Sequence, residues 1–203
     1  MPYSFTNFRL RVSAIMFSLL LCSSVMADTK QAAVGTIERL HETLLEVMQQ
    51  ASNLGFKGRV EKLTPVVEES FDLQTISRIV TGQHWKTIDE EKRKSFVDVF
   101  HRLSAATYAS NFSSFSGEQF KTLGAEEKRG RYIVRTAIVK SDGEEIPLDY
   151  VVSDNDGVWQ IVNVIAAGVS DLSLKRADYT AVINSEGFDS LLARLNDKIA
   201  SFE

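Results

Sequence analysis

Near residue 116 the hydrophobic period of the chain changes, and that change limits the fold more than any other feature. Phe96, Phe100, Leu103 and Thr107 recur at steps of three and four, with Val97, Ser104, Tyr108 and Phe112 beside them. This is the stripe of an amphipathic helix. Asp89 stands where a cap is needed, and Glu90 and Glu91 suit the positive end of the helix dipole. The run NFSSFSG ends the pattern. Beyond it the period is two. Arg131 to Lys140, Glu145 to Ser153 and Val158 to Ala166 read as strands, with Phe120 to Glu127 as a fourth. Asp142-Gly143 and Asp156-Gly157 read as two-residue hairpin turns.

Helices flank this meander. Asp28 or Thr29 is placed to cap a first helix to about Ser52, with Val34, Ile37, Leu40, Leu44, Val47 and Ala51 on one face. Gly55 and Gly58 are expected to break it, and a second helix to cover Arg59 to Ser70. Asp72 caps a short third helix carrying Ile76, Ile79 and Val80, which Gly82 ends before Trp85. After the strands come helices over about Ser173–Asn184 and Phe188–Phe202, split at Glu186-Gly187. Helices before and after an antiparallel meander give an α+β fold, a mostly antiparallel sheet of about four strands with helices to cover it.

Two-residue turns fix a register. Ile133 then faces Val152, Arg135 faces Tyr150, Ala137 faces Leu148, Val152 faces Ile161 and Tyr150 faces Asn163. One face would carry Ile133, Leu148, Tyr150, Val152, Trp159 and Ile161. The other would carry Tyr132, Val134, Ile138, Val151, Val162 and Val164. Both are apolar, so both call for cover. A one-residue error would exchange the sides of a strand.

The N-terminus bears on compartment. Arg9 and Arg11 precede an apolar run, Val12 to Cys22, of signal-peptide length, and Val25-Met26-Ala27 places small residues for a cut after Ala27. Residues 1–27 are therefore expected to be removed, leaving residues 28–203 as a single domain. Cleavage takes away Cys22, the only cysteine, and with it disulfide and thiolate chemistry. Loss of Arg9 and Arg11 lowers the formal charge from −4 to −6, which disfavours nucleic acid as a partner. An exported chain without cysteine fits the bacterial periplasm.

The motifs of catalysis are incomplete. His41-Glu42-Thr43-Leu44-Leu45 opens like a zinc-protease helix, but Leu45 stands where the second histidine must be, so His41 reads as a surface helical residue. Asp154-Asn155-Asp156-Gly157 resembles the start of a calcium loop, yet Ile165 occupies the position of the closing glutamate. His84 reads as a loop residue. His101 and Asp149 are the two candidates for acid/base work in a small-molecule enzyme on a cone-shaped α+β scaffold. A solid interaction module without ligand is the other alternative. The sequence assigns no catalytic residue, metal or cofactor.

Gly168-Val169-Ser170, following Trp159-Gln160-Ile161-Val162-Asn163-Val164, resembles the MlaC or toluene-tolerance family of periplasmic lipid carriers. Gly187-Phe188-Asp189-Ser190-Leu191-Leu192 resembles that family's final helix. Phe71-Asp72, Ile79, Gly82, Trp85 and then Phe96, Phe100 and Tyr108 resemble its middle helices. Asn163 departs from the usual aspartate, and Arg176-Ala177-Asp178-Tyr179 is similar to the hopanoid-associated HpnM branch. The resemblance implies a curved sheet covered by helices, an NTF2-like cone with an apolar cavity for phospholipid or hopanoid. It implies exchange between an inner-membrane ABC transporter with an MCE-domain subunit, or an RND-type transporter, and an outer-membrane lipoprotein complex. Together with the register it implies a lipid-binding lining of Phe100, Leu103, Tyr108, Phe112, Tyr150, Val152, Trp159, Ile161, Val169, Leu172, Tyr179 and Ile183. It further implies a gate between Gly168 and Tyr179, with Lys175 and Arg176 placed to meet lipid phosphate or an acidic docking surface.

Overall fold

The computed structural model describes the backbone of residues 9–202 and the side chains of residues 28–202. The first eight residues and the side chains of the expected leader lie outside the described residues. Helix α1 (Arg9–Gln49) passes Asp28 without a cap. From Ser23 to Val34 there is no glycine or proline to stop it, and a helix once nucleated propagates through such a stretch. Helix α2 (Ala51–Ser70) begins earlier than its sequence signals suggest, because only Gly55 leaves helical geometry and Gly58 stays helical.

The remaining helices follow their caps. In α3 (Leu73–Thr81) the Asp72 carboxylate accepts from Thr75 N at 2.8 Å, and Gly82 ends the helix. A short 3-10 turn, Gly82–Lys86, carries Trp85. Asp89 accepts from Lys92 N at 2.8 Å at the head of α4 (Glu90–Asn111). Ser170 caps α5 (Asp171–Glu186), and Gly187 separates it from α6 (Phe188–Ala200).

Between α4 and α5 lies one antiparallel sheet, β1 (Gln119–Lys128), β2 (Arg131–Val139), β3 (Glu145–Asn155), β4 (Val158–Ala166) and β5 (Val169–Ser170), ordered as in the chain. The four expected strands are joined by a fifth, a two-residue stub. Ala166 pairs with Val169 across Ala167-Gly168, both at positive φ (47° and 81°), as a tight two-residue turn requires.

The register differs from the expected one in two places, each for an identifiable reason. Asp142-Gly143 is not a two-residue turn. Lys140 N donates to Glu144 O and Gly143 N to Lys140 O, both at 2.9 Å, so the loop holds Ser141, Asp142 and Gly143. Gly143 alone takes the left-handed conformation, at φ 88°. Every β2–β3 pair moves by one residue: Ile133 faces Val151, Val134 faces Tyr150 and Ala137 faces Pro147. Tyr132 and Val134 therefore point inward with Tyr150 and Val152, and Ile133 does not. In the second hairpin Val152 does face Ile161, but Tyr150 faces Val164 rather than Asn163. Val162 is an extra residue there, a bulge that turns Ile161 and Val162 inward in succession.

The inner face is covered by helices. Ile37, Leu40, Leu44 and Val47 of α1 are fully buried, in the core that also takes Tyr150, Val152 and Ile161. Thr36 Oγ1 donates to Trp159 O at 2.8 Å, and the Trp159 ring meets Tyr132 edge-on at 5.1 Å, so α1 rests directly on the sheet. At the other end of the roof, Phe96, Phe100, Tyr179 and Phe188 form an aromatic cluster that joins α4, α5 and α6.

Candidate functional site

The half of the inner face away from α1 is hollow. Along α4 the residues Phe100, Leu103, Ser104, Thr107, Tyr108 and Asn111 share one helical face and roof a cavity of about 300 Å³. Its floor is Ile138, Leu148, Val162, Val164 and Ala166 from β2, β3 and β4. Phe71, Leu73 and Ile76, with Asp171, Leu172 and Lys175 of α5, complete its walls. The bulge serves this site, because Val162 joins Val164 and Ala166 in the floor while Ile161 stays in the solid core.

The polar groups of the site are few. The Ser104 hydroxyl donates to Phe100 O at 2.8 Å and the Thr107 hydroxyl to Leu103 O at 2.7 Å, so both donors are used within α4. The Tyr108 hydroxyl has no protein hydrogen-bond partner among the described residues. Burial, with the nearby Asp171 carboxylate adding to it, pushes its pKa well up and keeps it a neutral donor. Asn163 accepts from the Ser170 hydroxyl at 3.1 Å and from Leu172 N at 3.2 Å, holding the start of α5 beside the cavity. Asp171 and Lys175 form an ion pair one turn apart on α5.

Of the expected lining, Phe100, Leu103, Tyr108, Phe112 and Leu172 border this cavity. Tyr150, Val152 and Ile161 are fully buried in the solid half, and Trp159 packs on Tyr132 there. Tyr179 and Ile183 lie in the core, with the Tyr179 ring edge-on to Phe96 and Phe100. Val169 is half-exposed on β5. The floor residues Ile138, Val162 and Val164 fell on the opposite face in the expected register, for the reasons given above. Lys175, expected in the gate beside Arg176, borders the cavity, whereas Asn111 and Asp171 carried no sequence signal beyond being polar.

His41 is a correction. It is buried, not a surface residue: Nε2 lies 2.9 Å from the Tyr150 hydroxyl, and the ring stacks on Phe120 at 4.2 Å. It belongs to the buried face of α1 beside Ile37 and Leu44, and Tyr150 supplies the polar partner that a buried imidazole needs. Burial lowers its pKa to about 4. His101 sits on α4 with Nδ1 3.6 Å from Glu68, and Asp149 accepts from Thr136 N at 3.3 Å; neither borders the cavity. Among the described residues no group of His, Cys, Asp or Glu side chains is placed to hold a metal ion.

A curved antiparallel sheet roofed by helices, with an apolar chamber between the layers, defines a ligand-enclosing class of α+β proteins. The sequence pattern of the MlaC protein family matches residues 38–197, most of the chain, and the chain belongs to that family. It is 25% identical over 169 residues to the intermembrane phospholipid transport system binding protein MlaC of Haemophilus influenzae, covering 73% of this chain and 78% of that one. The fold is also that of a phospholipid-binding protein from Ralstonia solanacearum solved in complex with a phospholipid. The TM-score is 0.70 at 19% identity, over 83% of this chain and 97% of the other.

Proposed function

We propose that this protein is a periplasmic carrier that holds the tails of a phospholipid in the cavity under α4 and passes the lipid between membrane complexes. The observation that carries this reading is the distribution of polarity: the floor is apolar, the Ser104 and Thr107 hydroxyls of the roof are spent on carbonyls of α4, and the charged groups stand only where α5 borders the cavity. Family membership and the phospholipid-transport relative support it.

Energetics explains why such a chamber is needed. Burial of one sixteen-carbon chain is worth about 13 kcal/mol relative to water. A lipid held that strongly does not escape at a useful rate, so it must be handed over while the cavity opens. Handover needs a wall that moves, and we assign that role to the first turn of α5, which is tied to the sheet through the two-residue β5 and the Asn163 side chain, the acceptor for the Ser170 hydroxyl and Leu172 N. The expected gate over Gly168 to Tyr179 is thereby narrowed, because Tyr179 is anchored in the aromatic cluster.

The donor and acceptor would be an inner-membrane ABC transporter with an MCE-domain subunit and an outer-membrane lipoprotein complex. Arg176-Ala177-Asp178-Tyr179, similar to the hopanoid-associated branch, makes hopanoid with an RND-type transporter the second reading of cargo and partner. Native mass spectrometry of protein purified from periplasm, followed by lipid extraction, tests all of this. A mass increment that extracts as phospholipid is expected. Hopanoid in the extract would assign the second cargo, and protein without lipid, or with activity on a small soluble substrate, would overturn the carrier.

A further inference from the structure

Asp171 suits the positive end of the α5 dipole, but the pair that it forms with Lys175 does little to hold the fold. Asp171 and Lys175 lie one helical turn apart, and an exposed pair of this kind contributes little to a helix. Yet both border the cavity, and the Lys175 side chain is only 27% exposed against 51% for Asp171. A lysine drawn that far in covers the mouth with its aliphatic stem and keeps its ammonium at the rim. Opposite it, the Asn111 side chain ends the α4 face and has no protein hydrogen-bond partner among the described residues. Deeper in, the Tyr108 hydroxyl is likewise an unpartnered donor, close enough to feel the Asp171 charge. One acceptor, one cation and two neutral polar groups therefore ring the way into an apolar chamber.

We propose that Asp171 and Lys175 read the headgroup of the carried lipid and select one that is zwitterionic, Lys175 taking the phosphate and Asp171 the ammonium of a phosphoethanolamine head. The inference rests on the lipid-carrier reading and names the class of lipid. Its physical basis is exchange without net loss. When a zwitterion docks, the ion pair opens and each charge finds a new partner, so four charges are paired before and after in pairs that sum to zero. An anionic head satisfies Lys175 but leaves the Asp171 carboxylate unpaired beside a second negative charge, which disfavours it in this half-buried position. Asn111 and Tyr108 add hydrogen bonds to phosphate or ester oxygens that either head accepts, and so contribute to holding the lipid without distinguishing heads.

The test equilibrates the protein, expressed from the full chain and purified from periplasm, with vesicles of equimolar phosphatidylethanolamine and phosphatidylglycerol of matched tails, then measures the ratio of the two in lipid extracted from the repurified protein. The wild type is expected to be enriched in phosphatidylethanolamine by about threefold, the scale of one partly exposed charge contact. The two single variants move in opposite directions, which a merely structural pair does not produce. Asp171→Asn removes the repulsion and loses the enrichment. Lys175→Gln leaves the carboxylate alone at the mouth and raises it. A wild-type ratio equal to that of the vesicles, or variants that shift together, overturns the headgroup reading while the carrier stands. Protein that takes up neither lipid overturns phospholipid as the cargo as well. The wild-type ratio decides the matter even where a variant fails to fold.

Discussion

His41 Nε2 and the Tyr150 hydroxyl stand 2.9 Å apart inside the core, and this one contact ties α1 to the middle of the sheet. Burial holds the imidazole neutral, with its pKa lowered from 6.5 to about 4. In the unfolded chain the same group takes a proton near pH 6.5. Between these values the unfolded state binds more protons, so stability is full above pH 6.5 and falls as pH drops toward 4. The loss is about 3 kcal/mol over the whole window and about 2 kcal/mol by pH 5. Urea titrations at pH 7 and pH 5 should show that His41→Leu, although less stable at pH 7, loses about 2 kcal/mol less than wild type between them. Equal losses would mean that His41 is not buried in the neutral form.

Removal of the partner should be felt at neutral pH. Tyr150→Phe leaves the buried imidazole nitrogen without its hydrogen bond, at a cost of about 1–3 kcal/mol. The denaturant midpoint should fall with an unchanged slope, and no fall would show that another group or water takes the place of the hydroxyl.

The turn into β5 carries avoidable strain. Ala167 sits at φ 47°, a conformation that asparagine tolerates better than alanine. Ala167→Asn should stabilise the protein by about 0.5–1 kcal/mol, read as a rise in melting temperature. A drop would indicate that the turn is not of the two-residue form.

Filling the chamber should compete with its cargo. Val164 lies in the floor and is only partly buried, so Val164→Trp projects a ring into the cavity at an overpacking cost of about 1–3 kcal/mol. Lipid recovered per protein should fall severalfold while the melting transition stays cooperative. Undiminished lipid with the ring in place would put the tails elsewhere.

Loosening the first turn of α5 should speed delivery. Asn163→Ala removes both ties to Ser170 and Leu172, and transfer to acceptor vesicles should accelerate. A disulfide engineered between this turn and α4 should slow transfer, and reduction should restore it. The only native cysteine, Cys22, lies before the expected cut and does not interfere. Indifference of the transfer rate to both changes would leave the gate without support.

The parts of this molecule that local chemistry decides were readable in advance. Asp72, Asp89 and Gly187 cap or end their helices because of groups within a few residues of themselves. The Asp156-Gly157 turn likewise needs nothing distant. What escaped depended on counting across space. A three-residue loop at Ser141–Gly143 and one bulge at Val162 each displaced a strand by a residue, and a single residue decides which side chains face inward. Ile138, Val162 and Val164 of the cavity floor therefore belong to the face opposite the one that two-residue turns predict, while Leu148 keeps its expected side. His41 escaped because its partner, Tyr150, lies 109 positions away. The polar mouth is legible only once α4 and α5 are seen side by side.

The bulge at Val162 divides β4 into two tenures. Before it, Ile161 O accepts from Asp72 N at 3.0 Å, and the Phe71 backbone bridges the same residue, so this segment is bound into the frame at the α2–α3 junction. After it, Val162, Val164 and Ala166 line the chamber. Substitution of Val164 or Ala166 should therefore reshape the chamber while the anchorage at Ile161 stays in place, so volume and framework are set by separate stretches of one strand.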